Sequence, residues 1–537
     1  MYWRIVQGLV VAWSFVGGET AVESESDFVE EGHEGVVESV LAEGREVGRF
    51  SGRWRVQGAS GGRENMRLYQ RMEWEMGWGR AIYFLTERDP GEARWADFAA
   101  FYAQWKMRAR PIEAVVGDVR PGWGQGLLFG RSGSRGTPFA AFRRDSEQVG
   151  YRSSGENQSL RGMVLQYRGG QFAAALLGGM AQIDARVDEA GRATSLPESG
   201  VHVSDGEVVG RDRLRAGVGG LRLLYEGGDW QGGVSLQDLR FDREVDLRRP
   251  ERTPWAFRGR GQRMAGVDGQ FAVGGVRHAV EIGASDRGKW GGLAVLRLAL
   301  GNLRAGAVLR HYDPGFHSFY GGALSASDME NEEGYLLLLE KYRGRRQWRL
   351  YVDQYRPLQP TYSLPVGGAT EVWGANVEWR LGQRGRALAL YQDRRAPRWK
   401  QAIVGVERSR RGRVEWRYRD GERQVVLRLE GRRVDDRDGA ELGGMGSVRW
   451  SDRRGKGRYV LHLSRFATDS YAARIYEFEY DLPGVVSIRP LYGGGWRFYI
   501  LAGGQWRALQ LTGRYRYQQG RSAPHYWGMQ VEKRGGP

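Results

Sequence analysis

The chain has 537 residues, with 82 Gly, 16 Pro and an aromatic share of 12% that includes 20 Trp and 25 Tyr. Glycine at about twice ordinary usage without a three-residue period excludes collagen, and so much aromatic surface excludes a disordered chain despite a mean hydropathy of -0.56. Lys+Arg outnumber Asp+Glu by 81 to 64, a net charge of +17, and 75 of those cations are Arg; the absence of Cys removes disulfides, thiolate catalysis and Cys-ligated metals.

Residues 1–18, MYWRIVQGLVVAWSFVGG, join Arg4 to an apolar run from Ile5 to Val16 and end on Gly17 and Gly18. That order reads as a secretory signal peptide cleaved after Gly18. Elsewhere no apolar run approaches the roughly 18 residues of a membrane helix. Residues 19–49 are acidic, with Glu23, Glu25, Asp27, Glu30, Glu31 and Glu34, and Val36, Val37, Val40 and Leu41 share a helical face, so one short periplasmic helix is expected there.

From Phe50 onward the dominant period is two. Met66, Leu68, Met72, Trp74 and Met76 alternate with Arg67, Tyr69, Arg71, Glu73 and Glu75, and Phe101, Ala103, Trp105 and Met107 alternate with Tyr102, Gln104, Lys106 and Arg108. Around residue 413, Val414, Trp416 and Tyr418 oppose Arg413, Glu415, Arg417 and Arg419; the turn Asp420-Gly421 then leads to Val425, Leu427 and Leu429 against Gln424, Arg428 and Glu430. Near the C-terminus Trp496, Phe498 and Ile500, then Leu509, Leu511, Tyr515 and Tyr517, repeat the pattern against Arg497, Arg514 and Arg516.

No phrase repeats on a fixed period, which argues against a solenoid or propeller. Strands with one apolar face and one face of long charged groups fit a membrane-spanning antiparallel up-and-down β-barrel. Tight links at Gly169-Gly170, Gly344-Arg345, Gly385-Arg386 and Gly412 contrast with long polar stretches at 187–213, 240–260, 314–333 and 357–368. At about 20 residues per strand and connection, residues 50–537 give about 24 strands, within a range of roughly 22 to 28. One outer-membrane barrel is therefore expected from about residue 50 to 535, with both termini periplasmic, and its last strand spans His525 to Glu532.

Specific phrases add to this. VVGDVRPGWGQGLLFGRSGSRG (115–136), FLTERDPGE (84–92), GYRSSGENQSLRG (150–162), WAFRGRG (255–261), HYDPGFHSFYGGALS (311–325) and TDSYAARIYEFEYD (468–481) follow one another along the barrel. Together they resemble the outer-membrane barrel that follows tandem helix-hairpin-helix segments in a family of Bacteroidota and related proteins. About thirty residues precede the barrel here, too few for those repeats, so the DNA-binding role that the resemblance implies lacks its usual carrier.

Sharper motifs mostly resolve into structural roles. Leu482-Pro483-Gly484-Val485-Val486 lies between strand-like stretches and reads as a β-turn. Gly122-Trp123-Gly124-Gln125-Gly126 lacks the following helix of a phosphate loop and reads as a bend where backbone packs closely inside the barrel. His311, Asp313 and His317 stand beside Pro314 and Gly315 and read as turn residues rather than a metal site. The Ser residues near the seven scattered His have no nucleophile-elbow context, so no enzyme, cofactor or metal is expected. Arg408, Arg410, Arg411, Arg413, Arg432, Arg433 and Arg437 interleave with Glu415 and Glu430, which favours ion pairing in the lumen over a nucleic-acid track or contact with lipopolysaccharide phosphates.

The segment from Asp118 to Gly136 is expected to leave the wall and narrow the lumen. Asp118, Arg120, Gln125, Arg131 and Arg135, with Arg152, Glu156, Asn157 and Arg161, are the candidates for a polar constriction, and the same residues serve equally as staples between adjacent strands. A charged lumen suggests a channel or secretion conduit, with excess Arg favouring anionic solutes. The alternative is a non-conducting scaffold that binds a periplasmic or secretion partner, and a DNA conduit ranks third. Outer-membrane lipid and lipopolysaccharide are the expected surroundings.

Overall fold

Alternation at period two puts successive side chains on opposite faces of an extended chain, and the described residues form twenty-eight strands. The structure is a computed structural model that describes residues 48–60, 65–130, 143, 145–146, 148–249, 252–400, 403–520, 524–533 and 535. The expected signal peptide and acidic helix lie outside the described residues.

The wall opens with β1 (Arg49–Ala59), β2 (Met66–Glu75), β3 (Ala81–Arg88), β4 (Phe98–Lys106), β5 (Ile112–Val119), β6 (Leu160–Gly169) and β7 (Phe172–Ile183). An excursion carries the short β8 (Arg186–Val187) and β9 (Ala193–Ser195) and one turn of helix, α1 (Asp205–Gly210). The wall resumes with β10 (Leu214–Glu226), β11 (Trp230–Asp246), β12 (Arg258–Val273), β13 (Val276–Ser285), β14 (Trp290–Leu300), β15 (Leu303–Tyr312) and β16 (Glu332–Arg343). It continues through β17 (Arg346–Arg356), β18 (Thr370–Leu381), β19 (Gly385–Lys400), β20 (Ile403–Asp420), β21 (Arg423–Asp436), β22 (Gly439–Arg454) and β23 (Gly457–Thr468). A separate hairpin, β24 (Ile475–Glu479) and β25 (Ser487–Leu491), precedes the closing strands β26 (Gly494–Trp506), β27 (Leu509–Gln518) and β28 (His525–Lys533).

Each wall strand pairs antiparallel with its neighbour, and β1 pairs with β28 from Gly52↔Lys533 to Ala59↔Tyr526, which closes the ring. Without β8, β9, β24 and β25 the barrel has 24 strands, the number expected from chain length. Closure removes every free edge, which is what a sheet in hydrocarbon requires.

Turns of two to five residues join strands at one end, for example 170–171, 274–275 and 344–345, and the start of β1 and the end of β28 lie there too. At the other end stand the long connections 120–159, 184–213, 247–257, 313–331, 357–369 and 469–493. Two expected links are corrected. Gly412 lies inside β20, paired with Tyr391 and Gly431, because its neighbours continue the alternation without a break. The turn near Gly385-Arg386 is 382–384, and those two residues already belong to β19.

Exposed apolar side chains such as Met163, Leu176, Leu236, Ile282, Leu337, Leu350, Leu427 and Leu461 face outward around the wall. Trp74, Trp105, Phe172, Trp230, Trp348 and Trp506 ring the short-turn end, and Trp290, Trp373, Trp496 and Trp527 stand near the long-loop end. An even-stranded closed barrel with an apolar outer belt, aromatic girdles, short turns on one side and long loops on the other is the architecture of an outer-membrane β-barrel.

Candidate functional site: segments folded into the lumen

The connection after β5 turns inward. Gly124 and Gly126 take φ of 57° and 93°, values that favour glycine, and the turn they make aims two main-chain donors at one carboxylate. Glu281, on the inner face of β13, accepts the N–H of Gln125 at 2.6 Å and that of Leu127 at 3.2 Å. Gln237 on β11 donates to the carbonyl of Leu128 at 2.9 Å. Bare backbone on the wall receives the apolar side chains: a Cβ at Gly266 or Gly283 would meet Leu128 Cδ1 at 2.9 or 3.0 Å, and one at Gly220 would meet Phe129 at 2.9 Å. Trp123, Leu127, Leu128 and Phe129 are buried in consequence.

A second inward connection, 313–331, pairs with the first. Gly130 donates to Tyr320 O, and Gly322 to Gly126 O, each at 2.9 Å. Phe257, Phe316 and Phe319 extend the shared apolar core to the wall. Beneath it Arg222 of β10 bridges Asp145, at 2.9 and 3.0 Å, and Asp268 of β12 at 3.1 Å. The two connections thus form one body fixed to β10–β16 by an apolar socket and a few charged contacts.

A third inward element is the hairpin β24–β25, whose turn at 482–485 closes with Val485 N–H on Leu482 O at 2.9 Å, as the sequence leads one to expect. Glu479 meets Arg497 of β26 and Arg514 and Arg516 of β27. Glu477 accepts from His462 at 2.8 Å, and the Pro483 carbonyl accepts from Arg55 at 2.8 Å and Gln530 at 3.1 Å. The hairpin is therefore clamped across the seam where the barrel closes.

The expected constriction residues separate into three groups. Asp118 and Arg161 are register partners on β5 and β6; Arg161 is 70% exposed on the face that carries Met163 and Leu165, and Asp118 also accepts the Phe101 N–H at 2.8 Å, so this pair staples strands on the outer face. Arg120, Gln125 and Arg152 hold the inward segment. Arg120 donates to Gly130 O at 3.2 Å and Gln158 at 2.6 Å, Gln125 exchanges hydrogen bonds with the Arg143 backbone at 3.0 and 3.1 Å, and Arg152 joins Glu73 and the Tyr102 hydroxyl. Glu156 and Asn157 belong to a cluster at the loop end. Arg131 and Arg135 lie outside the described residues.

That loop-end cluster had no signal in the sequence, because its members come from three connections. His202 faces Asp97 through Nδ1 at 2.5 Å and Asp184 through Nε2 at 3.0 Å. Asn157 donates to Asp184 at 3.2 Å, and Arg211 pairs with Asp97. Burial, reinforced by the negative charges of Asp97, Glu92 and Asp184, pushes the Glu156 carboxyl up to about 8. Among the described residues, Glu92, Asp97 and His202, and likewise Glu156, Asp184 and His202, bring donor atoms within 4.8 Å of one another, a spacing at which a metal ion is held. His311 and His317 take separate carboxylate partners, Asp313 at 3.1 Å and Glu330 at 2.5 Å.

The arginine-rich strands divide by face. Arg411, Arg413 and Arg428 converge on Glu430 inside, and Arg417 meets Glu415, as expected of a paired lumen. Arg408, Arg410 and Arg433 instead share the outward face of Val414 and Leu429 and pair with Asp393 and Asp435. The expectation of pairing in the lumen is corrected for these residues, because Arg408, Arg410 and Arg433 fall on the outward side of the period-two alternation of β20 and β21.

A comparison with protein-family profiles finds no match, and neither does one with curated proteins. Among solved structures, the translocation pore of the P pilus usher PapC is 9% identical over 91% of this chain and 99% of that one, with a TM-score of 0.35. The copper transporter OprC is 9% identical over 92% and 81%, with a TM-score of 0.44. The siderophore receptor PirA from Pseudomonas aeruginosa is 7% identical over 92% and 81%, with a TM-score of 0.42. These are likenesses of barrel architecture and set no residue-to-residue correspondence.

Proposed function

We propose that this protein is an outer-membrane transport conduit whose passage is narrowed at rest by its own inward segments. The observation that carries the reading is the attachment of the 122–130 and 318–323 body to the wall. A ring of 24 strands about 4.8 Å apart and tilted about 40° is roughly 48 Å across if circular, wide enough to need internal filling to keep solutes out. Here the filling comes from connections tethered at both ends to wall strands, held by Glu281, Arg222 and a glycine socket. Such a body can shift without unfolding the barrel. The excess of Arg over Lys and acids favours anionic solutes as passengers.

A second reading, a non-conducting envelope scaffold, draws on the three arginines around Glu479, which fix the β24–β25 hairpin firmly to the wall. Planar-bilayer recording of the purified barrel separates the two. A gated conduit gives small or infrequent current steps that grow when the Glu281 tether is removed; a scaffold stays silent in both forms.

A further inference from the structure

The outer wall of β19–β22 departs from the surrounding apolar belt. Gly412, Gly431 and Gly444 are register neighbours on β20, β21 and β22 and form a bare strip, and a Cβ at Gly412 or Gly444 would meet no atom within 4 Å. Two adjoining hollows of about 570 Å³ each share Tyr391, Gly412 and Gly431. The lower one is lined by apolar Ala389, Val414 and Leu429; the upper one is bordered by Arg410 and Arg433.

Height gives this arrangement its meaning. Tyr418 marks the short-turn end of β20, and Arg410 lies eight residues above it. At about 3.4 Å per residue and a tilt near 40°, that is roughly 20 Å, with Arg408 about 5 Å higher, close to the top of an apolar band about 25 Å tall. These guanidinium groups therefore stand at the level of outer-leaflet headgroups, with the bare strip directly beneath them at acyl-chain depth.

The arginines hold donors in reserve. Arg433 spends Nε on Asp435 at 2.7 Å and is 51% exposed. Arg410 reaches Asp435 through Nη2 at 2.6 Å and keeps about a third of its side chain exposed. Arg408 is braced by Asp393, and exposed Arg395 sits opposite it in register, with Glu371 beyond. Glu371, Asp393, Asp435 and Asp469 set four carboxylates among the four arginines, and each guanidinium carries five N–H donors, of which Asp393 and Asp435 take one or two on Arg408, Arg410 and Arg433. Bracing by aspartate holds the planar forks facing outward, the geometry suited to bidentate phosphate contact.

We infer that this face is a docking site for the phosphorylated glycolipid of the outer leaflet, lipopolysaccharide, with its lipid A phosphates on Arg408, Arg410 and Arg433 and an acyl chain along Gly412, Gly431 and Gly444. The site lies on the outside of the wall and is independent of the lumen. It does rest on placement in the outer membrane, which fractionation of cells reports separately.

The test measures lipopolysaccharide per barrel after detergent purification, by mass spectrometry of lipid A, in the wild type, in Arg408→Gln/Arg410→Gln/Arg433→Gln, and in Gly412→Leu/Gly444→Leu, which fills the strip without changing charge. Heat-modifiable gel mobility confirms that each barrel is folded. The wild type is expected to retain lipid A, and each variant to lose about tenfold or more, as the removal of one or more charge-assisted hydrogen bonds implies. Added phosphatidylglycerol or dephosphorylated lipopolysaccharide displaces little of it. Equal retention in all three proteins, or displacement by phosphatidylglycerol as effective as by intact lipopolysaccharide, overturns the inference.

Discussion

The Glu281 carboxylate accepts the main-chain N–H of Gln125 at 2.6 Å, although 156 residues separate them in the chain. One inward-facing acid on β13 thereby fixes the position of a turn whose glycines allow it to enter the barrel. Replacing it with alanine removes the acceptor from both main-chain donors. Hydrogen exchange at the Gln125 and Leu127 amides is expected to quicken by roughly ten- to a hundredfold in Glu281→Ala, in line with about 1–3 kcal/mol for a buried donor left without its acceptor. Unchanged exchange there would show that the apolar socket alone holds the turn.

The socket makes its own prediction. Leu128 packs where Gly266 and Gly283 have no side chain. Gly266→Leu occupies that space and is expected to displace the inward body while leaving the barrel folded; Leu128→Ala in the same protein restores it. Hydrogen exchange at the Gln125 and Leu127 amides reads the displacement, and a failure of the second substitution to rescue would contradict a steric cause.

Gly162 on β6 presents the opposite case. A Cβ there would stand 2.0 Å from the Gly178 carbonyl and 2.4 Å from Gly179 Cα, both backbone of β7. Gly162→Ala is therefore expected to damage the β6–β7 pairing and lower the thermal midpoint of the detergent-solubilised barrel, whereas Gly178→Ala, where the added atom meets nothing within 4 Å, leaves it unchanged.

Asp118 and Arg161 differ in what they lose. Arg161→Ala removes an exposed ion pair and is expected to cost about 0–1 kcal/mol, while Asp118→Ala also strips the acceptor from the Phe101 amide and costs about 1–3 kcal/mol. Because the pair faces outward, neither change alters single-channel current. A shift in ion selectivity in Arg161→Ala would return it to the lumen.

At the loop end, Glu156 titrates at about 8, raised by burial and by the charges of Asp97, Glu92 and Asp184. A carboxyl whose folded value exceeds its unfolded one is more protonated in the folded state, so the stability it confers is present below the unfolded value near 4.5 and declines as pH rises through 8. The loop cluster is expected to resist proteolysis better at pH 6 than at pH 9, and Glu156→Gln to flatten that difference. A pH dependence that survives the substitution would assign the effect to other groups.

The sequence made the wall readable because the period-two pattern has a direct physical consequence: Val414 and Trp416 face out and Glu415 and Arg417 face in, as alternation requires. Chain length divided by the span of a strand and its link gave the strand number. What escaped reading depends on contacts between distant segments. The outward turn of Asp118 and Arg161 follows from the pairing of β5 with β6 across a forty-residue connection, and His202 and Asp184 of one loop meet Asp97 only when a second loop folds against it. The outward arginines escaped for another reason: charge in a barrel strand reads as lumen, and at 18 residues β20 is long enough to carry outward charge near the end of an apolar band about 25 Å tall.

Whether the inward segments narrow a passage behind them is decided by single-channel recording in planar bilayers, with wild type compared with Glu281→Ala/Arg222→Ala, in which two tethers of the 122–130 body are removed. Small or infrequent steps are expected in the wild type and larger, more frequent, anion-preferring steps in the variant, with the preference growing as salt is lowered. Complete silence from both folded proteins, or identical currents in the two, would contradict the narrowing.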